Sequence, residues 1–475
     1  MTAKPRRRPG GEPAWFGATL GKARALLARH HIDSTIIFGA GRMAWMSASG
    51  LVTIVFVARF LTGVEQGYFY TFFAFFQLQT AFQAGAYVAL YAAISHAYAR
   101  VHLDAEGRIM GEPADLAHLG GLLRLSRVWH VGCAILFALL LGPLGYVFFS
   151  FEGSGPVPWQ GAWWLLSLAI SSSFLILPDS LALEATGRTG IQQRALFCGQ
   201  VLSSLCILAG LALHMGLYVV ASGTIIRLVV TGLMQRGHTG ALHGLPAGPV
   251  KWREEILPQQ SKLTVSWLLG YAIFVSAVPI TFRAAGPVVA GRLGVALQIY
   301  QAVSATAGVW ITRAQPHMGR LAGRGAYGEL RHLTWTTGLR GAFSALFLGL
   351  GALGLVAAIQ AFLPNLAPRM PGFAALELFM VAAVAAQIPS AMAAAVRLTR
   401  AEPFIPLTAV SAGLTVAIYA VASPVLGEAG SALGFAAVAL LVLFPGQVFI
   451  YHRRIAAQPD RPQSEVVTSA RSTDG

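Results

Sequence analysis

Residues 261–294 read SKLTVSWLLGYAIFVSAVPITFRAAGPVVAGRLG, and they repeat near mid-chain a pattern already present near the beginning. The earlier copy, residues 42–69, reads RMAWMSASGLVTIVFVARFLTGVEQGYF and is also an apolar span that contains a Trp and ends on an Arg. In both copies a Gly lies eight residues after that Arg. The corresponding residues are Arg59 and Gly67 in the first copy and Arg283 and Gly291 in the second. Each copy heads about six long apolar segments, which predicts a chain of two repeated halves.

The composition is that of a membrane protein. Of 475 residues, 55% are hydrophobic and only 11% are charged. In a soluble domain about a quarter of the residues are charged, so an ordinary soluble domain is excluded. The 52 glycines suit close packing of helices in lipid, where small residues let two backbones approach each other.

Because about 20 apolar residues cross the hydrocarbon core, the hydropathy pattern predicts about twelve transmembrane helices. The predicted spans are 35–59, 68–96, 122–149, 160–184, 192–212, 216–235, 263–283, 289–311, 336–362, 372–396, 403–425 and 430–451. We expect an all-α polytopic membrane protein of two bundles, each of about six helices, related by a pseudo-twofold axis along the membrane normal. The expected divisions are a basic tail with an amphipathic helix (1–34), a first bundle (35–235), a linker (236–262), a second bundle (263–452) and a disordered tail (453–475).

The net charge of +15 is a topology signal, because the basic residues lie in short loops between apolar spans. Lys and Arg are concentrated in every second loop. Those at or near the opposite face are Arg59, Arg283, Arg292 and Arg369. The positive-inside rule then predicts an inner-membrane protein with both termini in the cytoplasm. We expect membrane lipids, and no nucleic acid, as partners of the basic N-terminal helix.

Five arginines inside the predicted spans, or at their ends, are the first candidates for a binding site. They are Arg42, Arg59, Arg227, Arg283 and Arg292. An Arg near the centre of a membrane helix costs about 2.5 to 3.5 kcal/mol. One interpretation is a cationic lumen between the halves, in which guanidinium groups bind a phosphate or diphosphate. The other is snorkelling at the membrane boundary, or pairing with a carboxylate or a carbonyl.

Other polar and kinked positions inside the spans each allow two interpretations. Gln79 and Gln83 share one helix face with i, i+4 spacing, and they could bond either sugar hydroxyls or a neighbouring helix. Asp179 and Glu377 could relay protons or ions, or could each pair with an Arg at a helix end. Prolines inside spans could permit motion between the halves or form static bends. These prolines are Pro143, Pro178, Pro279, Pro389 and Pro445.

The motifs of common enzyme classes are missing from the sequence. It has no GxxxxGK[ST] loop, no serine elbow and no extramembrane domain large enough for glycosyl transfer. The histidines show no metal-ligand spacing, and Cys133, Cys198 and Cys206 lie in apolar spans without a CxxC pair. We therefore expect no enzyme activity, no metal and no cofactor.

The segment VARFLTGVEQGYFYTF (57–72) resembles the end of the first helix and the start of the second in bacterial polysaccharide flippases of the Wzx type. A second patch of resemblance lies around WLLGYAIF and AGRLG. These flippases belong to the multidrug/oligosaccharidyl-lipid/polysaccharide exporter (MOP) superfamily. The resemblance implies two bundles arranged as a V around a cavity that opens alternately to each side. It also implies cavity cations at Arg42, Arg59, Arg283 and Arg292.

The function implied by the resemblance is a flippase that carries a polyprenyl-diphosphate-linked oligosaccharide across the inner membrane for cell-surface polysaccharide synthesis. A polysaccharide polymerase or glycosyltransferases would be its protein partners. One alternative is a cation-coupled multidrug antiporter of the same superfamily, which would depend on Asp179 or Glu377. The acidic residue that the drug-exporting branch carries in its first helix is absent here. The other alternative is a non-transporting membrane subunit of a polysaccharide assembly complex, with tightly packed halves and no polar cavity.

Overall fold

The computed structural model describes residues 34–103, 109–150, 157–399 and 403–458. The predicted amphipathic helix of the N-terminal tail lies outside the described residues, as does the C-terminal tail beyond residue 458. The described chain is almost entirely helical. Its one sheet is a hairpin of two short antiparallel strands, β1 (His102–Leu103) and β2 (Ile109–Met110).

The first half contains seven helices, of which two follow each other within one membrane span. They are α1 (Ser34–Phe60), α2 (Gly63–Tyr98), α3 (Pro113–Ser150), α4 (Gln160–Ser173), α5 (Leu177–Ala185), α6 (Thr189–Ala212) and α7 (Tyr218–His243). A 3₁₀ turn, Phe174–Ile176, joins α4 to α5. A capping box begins α2, because the Thr62 hydroxyl accepts from the Glu65 amide while the Glu65 carboxylate accepts from the Thr62 amide. The short helix α8 (Trp252–Glu255) connects the halves.

The second half repeats this plan with more interruptions. Its helices are α9 (Leu257–Phe274), α10 (Ala277–Ala285), α11 (Pro287–Ala307), α12 (Val309–Arg324), α13 (Tyr327–Phe362), α14 (Phe373–Arg397), α15 (Ile405–Leu426), α16 (Glu428–Val438) and α17 (Phe444–Tyr451). A 3₁₀ turn spans Ala367–Arg369, and π-helical turns span Ala439–Leu443 and His452–Ala456. The last of these keeps the chain ordered through Ala456, beyond the start predicted for the disordered tail.

Ten helical segments among the described residues are long and apolar enough to cross a membrane. The chain is therefore a multi-pass membrane protein. The pair α9 and α10 is bent by 42° and forms one further span. Helix α2 is 36 residues long but is not among these ten, because its Gln and Tyr side chains lower its hydropathy. With α2 and the bent pair, the structure has about the predicted twelve spans. Apolar side chains cover the outside, where Phe347 is 78% and Val425 81% exposed, as lipid contact requires.

The two halves form two lobes, and α2 is the first-lobe helix that makes most of the contact between them. It packs along both α9 and α11 of the second lobe. Close approach is possible at Gly67, where an added Cβ would lie 2.0 Å from the Pro287 carbonyl oxygen. At Gly291 an added Cβ would lie 3.0 Å from the Gly67 nitrogen. The corresponding glycines of the two repeats therefore meet each other. Equivalent residues touch only near their symmetry axis, which places the pseudo-twofold axis at this crossing.

The two ends of the bundle differ in charge. At one end, one apolar cluster holds the ends of α2, α5 and α7 together. A separate cluster at the same end holds the ends of α12 and α14 together. We name this the arginine-rich end, because the predicted basic loops lie there. The opposite, arginine-poor end is closed by hydrogen bonds between the lobes. The Arg369 Nη1 donates to the Leu61 carbonyl at 2.8 Å, and the Gln66 Nε2 donates to the Arg369 carbonyl at 3.0 Å.

Candidate functional site

Two adjoining cavities lie inside the bundle. The central cavity, of about 260 Å³, lies between the lobes and is lined by α1, α2, α9, α10 and α11. The first-lobe cavity, of about 360 Å³, is lined by α1, α2, α6, α7 and one side chain of α11. Six residues line both: Met46, Gly50, Tyr70, Phe73, Gln77 and Gln298. The two cavities are thus neighbouring parts of one space that reaches from the lobe interface into the first lobe.

Hydroxyls, amides and aromatic rings make up the polar lining of the first-lobe cavity. Its polar residues are Ser49, Thr53, Gln77, Thr80, Gln200, Ser203, Ser204, Thr224 and Gln298, together with Tyr70 and one cation, Arg227. No carboxylate is among the described residues that line it. Three phenylalanines, Phe69, Phe73 and Phe76, give it apolar faces. This lining suits a ligand that has hydroxyl groups and a negative charge, since the amides and hydroxyls can bond the hydroxyl groups and the guanidinium of Arg227 attracts the negative charge. The aromatic faces can pack against C–H groups of the same ligand.

Arg227 is the charged group of this cavity. It is half-buried on α7, and its guanidinium lies 4.7 Å from the centroid of the Phe76 ring. Within the described part of the chain, no carboxylate forms an ion pair with it. Gly199 on α6 allows the approach, because an added Cβ there would lie 2.4 Å from the Thr231 hydroxyl and 3.2 Å from the Arg227 carbonyl. A fixed cation without a counter-ion is costly inside a membrane protein, so the site favours an anion.

Arg42, on α1, lies close to Arg227. The two guanidinium groups are close enough to repel each other, and Arg42 is attracted to the carboxylate of Glu184. The Nε of Arg42 is buried and has no hydrogen-bond partner. Arg42 does not line the two cavities described above. It can therefore add to the positive potential of the first-lobe cavity without being part of its wall.

Glu184 is a charged residue that the sequence analysis missed. Its carboxylate accepts hydrogen bonds from the Tyr87 hydroxyl and from the Gln192 Nε2, the latter at 3.2 Å. The Gln192 Nε2 also lies 3.3 Å from the Tyr87 oxygen. Helices α2, α5 and α6 are joined by this cluster near the arginine-rich end. The position of Glu184, five residues after Asp179 at the end of a span, was the only sequence signal for it.

The other predicted arginines do not share this space. Arg59 is exposed at the end of α1, 5.9 Å from the Phe60 ring centroid, and Arg283 is exposed at the end of α10, 5.8 Å from that of Phe148. Arg292 forms an ion pair with Glu428, with 3.0 Å between its Nε and the carboxylate oxygen. None of the three lines either cavity. The prediction of one lumen lined by all five arginines is therefore corrected: the structure brings only Arg42 and Arg227 together.

Glu428 was also missed, and it explains the position of Arg292. Its other carboxylate oxygen accepts a hydrogen bond from the Gly372 amide at 2.8 Å. Glu428 begins α16 directly after Gly427, whose φ is +58°. The carboxylate therefore ties the beginnings of α11, α14 and α16 together at the arginine-poor end. Arg292 therefore pairs with a carboxylate, which was the predicted alternative to binding a phosphate.

The predicted polar pairs also lie outside the cavity walls. Gln79 donates to Gln83 at 3.1 Å, and neither lines the two cavities, whereas Gln77 of the same helix lines both. Asp179 lies in the first turn of α5, and Glu377 is exposed on α14. Neither acid lines either cavity. A glutamine of α2 does line the cavities, but the rotation of the helix directs Gln77 into them and not Gln79 or Gln83.

An interlobe hydrogen bond lies where the two cavities adjoin. The Gln298 Nε2 of α11 donates to the Gly50 carbonyl of α1 at 3.0 Å. Beside it, Gly294 of α11 lies directly against the Tyr70 ring, where an added Cβ would lie 2.3 Å from the ring carbon Cγ. The Tyr70 hydroxyl is buried without a hydrogen-bond partner. This part of the site has an unsatisfied polar group that a ligand could engage.

Neither a protein-family model nor a curated protein matches this sequence. Solved structures do. One is described as the inward-facing conformation of a multidrug resistance MATE family transporter of the MOP superfamily; it has 16% identity and a TM-score of 0.66, over 88% of this chain and 95% of that one. Another is the lipid II flippase MurJ in an inward closed conformation, with 12% identity and a TM-score of 0.61 over 87% of each chain. The chain thus has the two-lobe fold of MOP superfamily transporters, which confirms the predicted fold class.

A third similar structure is the outward-facing conformation of a MATE family transporter of the MOP superfamily. Its identity to this chain is 16% and its TM-score is 0.54, over 90% of this chain and 96% of that one. The present structure therefore superposes more closely on the inward-facing structure than on the outward-facing one.

Proposed function

We propose that this protein is a flippase for an isoprenoid lipid that carries sugar on a diphosphate, as the resemblance to Wzx-type flippases implies. The observation that carries the proposal is Arg227: a guanidinium without a carboxylate partner among the described residues, in a polar cavity whose described walls hold no acid. A diphosphate supplies the missing negative charge and can accept bidentate hydrogen bonds from a guanidinium.

The sugar would lie among the amides, hydroxyls and aromatic rings that line the same cavity. The central cavity is lined mainly by apolar groups such as Leu51, Phe274 and Val278, and it adjoins the head-group site. The isoprene units next to the diphosphate would suit these side chains, while the rest of the lipid tail would stay in the bilayer.

The arginine-rich end would face the cytoplasm, in agreement with the positive-inside rule, so that both termini are cytoplasmic and the protein lies in the inner membrane. In that orientation the closed, arginine-poor end faces outward. Cargo would enter from the inner leaflet and leave after the two lobes separate at the outer end. A polymerase or glycosyltransferases would consume or supply this cargo.

The test is transport in proteoliposomes of a fluorophore-labelled polyprenyl-diphosphate disaccharide, followed with a quencher that cannot cross the membrane. Arg227→Ala is expected to lower the flipping rate at least about tenfold, since one buried charge-assisted hydrogen bond is worth about 1.5 to 3 kcal/mol. The matched control is Arg236→Ala, which removes an exposed charge from the same helix. Equal rates for wild type and Arg227→Ala would remove the head-group assignment.

A multidrug antiporter is the second candidate, because the structure with a TM-score of 0.66 is described as a multidrug resistance transporter. That function predicts that a carboxylate is indispensable and that cells lacking the protein become drug-sensitive. Asp179→Asn, Glu377→Gln and Glu184→Gln test it. Full flipping in all three variants, with unchanged drug susceptibility, would leave the flippase as the function.

A further inference from the structure

Helix α12 carries a stripe of basic side chains that do not line either of the two cavities. Arg313, His317, Arg320 and Arg324 follow one another at steps of four, three and four residues, so they lie within about 60° of one another around the helix. All four are exposed. The opposite face of the helix is buried through Ile311, Met318 and Leu321. We call these four residues the basic stripe.

No carboxylate in the part of the chain that the structure describes neutralises the charges of the basic stripe. Among the described residues, none of its three arginines pairs with a carboxylate, and Arg320 contacts only His317 of the stripe, at 3.4 Å. Neighbouring arginines differ. Arg331 donates to the Ala456 carbonyl at 3.0 Å, and Arg340 lies 5.8 Å from the Trp310 ring centroid. The stripe is therefore a row of free cations at the arginine-rich end, beside arginines that hold the structure together.

The basic stripe continues a face that lines the central cavity. Helices α11 and α12 form one segment, Pro287–Arg324, of 38 residues. Ala302 lines the central cavity. Arg313 lies about three helical turns after Ala302, and Arg320 lies five turns after it. Around the helix axis, both therefore project within about 20° of the direction of Ala302. The stripe therefore extends the cavity face toward the arginine-rich end, and Arg320 lies about 27 Å along the helix from Ala302.

We propose that the basic stripe captures the diphosphate head group of an isoprenoid lipid at the mouth of the bundle and directs it toward Arg227. This inference rests on the proposed function. A row of guanidinium groups offers successive bidentate sites for a diphosphate, and an unneutralised positive row raises the local concentration of anions. Such exposed charges act on the association rate, whereas a cavity charge such as Arg227 acts on the dissociation rate.

The experiment measures both rates by stopped-flow fluorescence, with the full chain in neutral detergent micelles and farnesyl diphosphate labelled on its tail as the probe. The test variant is Arg313→Gln/Arg320→Gln/Arg324→Gln. The matched control is Arg124→Gln/Arg236→Gln/Arg454→Gln, which removes three exposed charges from other helices. We expect the test variant to associate about tenfold more slowly at low ionic strength, with an unchanged dissociation rate, and the difference to vanish at high salt.

The proposal would be overturned if the test variant associated at the wild-type rate, or if the control variant lost as much of its association rate as the test variant. It would also be overturned if the test variant lost binding to vesicles of phosphatidylglycerol by the same factor as binding to farnesyl diphosphate. This last result would assign the stripe to bulk anionic lipid. Arg227→Ala separates this proposal from the function it rests on. If that variant dissociates faster but still associates at the wild-type rate, both assignments stand. If its dissociation rate is unchanged while the stripe variant associates slowly, the assignment of Arg227 as the head-group site fails and capture by the stripe stands.

Discussion

At the scale of the residue, the chemistry of the site depends on which arginines have partners. Arg292 has Glu428 and Arg42 has the attraction of Glu184. Among the described residues, Arg227 has the face of Phe76 and no carboxylate. Since a buried pair balances its own charge, Arg292 is suited to hold helices together. Arg227 retains its charge for a ligand.

The contact between the two repeats is decided by single glycines. In Gly67→Val the new side chain would overlap the Pro287 carbonyl, because its Cβ alone would lie 2.0 Å from that oxygen. We expect the lobes to be forced apart at the arginine-poor end, at a cost of about 1 to 3 kcal/mol. Thermal unfolding in detergent measures the loss as a lower Tm.

Gly132→Val is the control for this substitution. Gly132 lies inside α3, and an added Cβ there would meet nothing within 4 Å. Replacing a mid-helix glycine where there is space is expected to leave the Tm unchanged or raise it slightly. If both variants unfold at the wild-type Tm, Gly67 does not control the packing of the lobes.

At the scale of the element, the break between α9 and α10 has an identifiable cause. Pro279 has no amide hydrogen, so the carbonyl of Val275 lacks its normal helical partner, and the chain bends by 42° there. Pro143 and Pro389 lie inside continuous helices instead. Proline alone therefore does not decide where a span breaks. The packing of Tyr271, whose hydroxyl donates to the Ala74 carbonyl at 3.3 Å, fixes α9 against α2 before the break.

Pro279→Ala is expected to straighten this span and to slow transport more than it weakens binding. The added amide can complete the helical hydrogen bond, and the two parts of the span would then move as one rod. The flipping rate in proteoliposomes and the affinity for farnesyl diphosphate in detergent measure the two effects separately. A loss of affinity equal to the loss of rate would contradict a role for the bend in motion.

At the scale of the whole molecule, the lobes meet along α2, and the arginine-poor end is held by contacts from both of them. An alternating-access cycle requires these contacts to separate. Gly63 and Val288 lie across this closure, since a Cβ at Gly63 would lie 3.6 Å from a methyl group of Val288. Two cysteines at these positions are close enough for a disulfide.

The variant Gly63→Cys/Val288→Cys, made with Cys133, Cys198 and Cys206 replaced by Ser, is expected to form this disulfide on mild oxidation and to stop flipping. A reducing agent should restore transport, because the bond only prevents the lobes from separating. Each single cysteine variant serves as the control and should transport after oxidation. Continued transport by the fully cross-linked protein would show that the arginine-poor end does not open.

The membrane class, the approximate number of spans, the two repeated halves and the charge difference between the ends could all be predicted from the amino-acid sequence. These features follow from hydropathy, local charge and spacing, which act along the chain and need no knowledge of its partners. The repeat paired Gly67 with Gly291 in sequence, and the structure adds that these two glycines meet in space.

Which polar groups face the cavity depends on how the helices pack, and the sequence did not predict it. The rotation of α2 places Gln77, and not Gln79 or Gln83, in the walls. Glu428, which belongs to a helix distant in sequence, forms an ion pair with Arg292 and neutralises it. Arg227 has no such partner among the described residues. Depth in a span predicts the cost of a charge, but its function depends on the side chains that other helices bring to it, and that is a property of the packed fold.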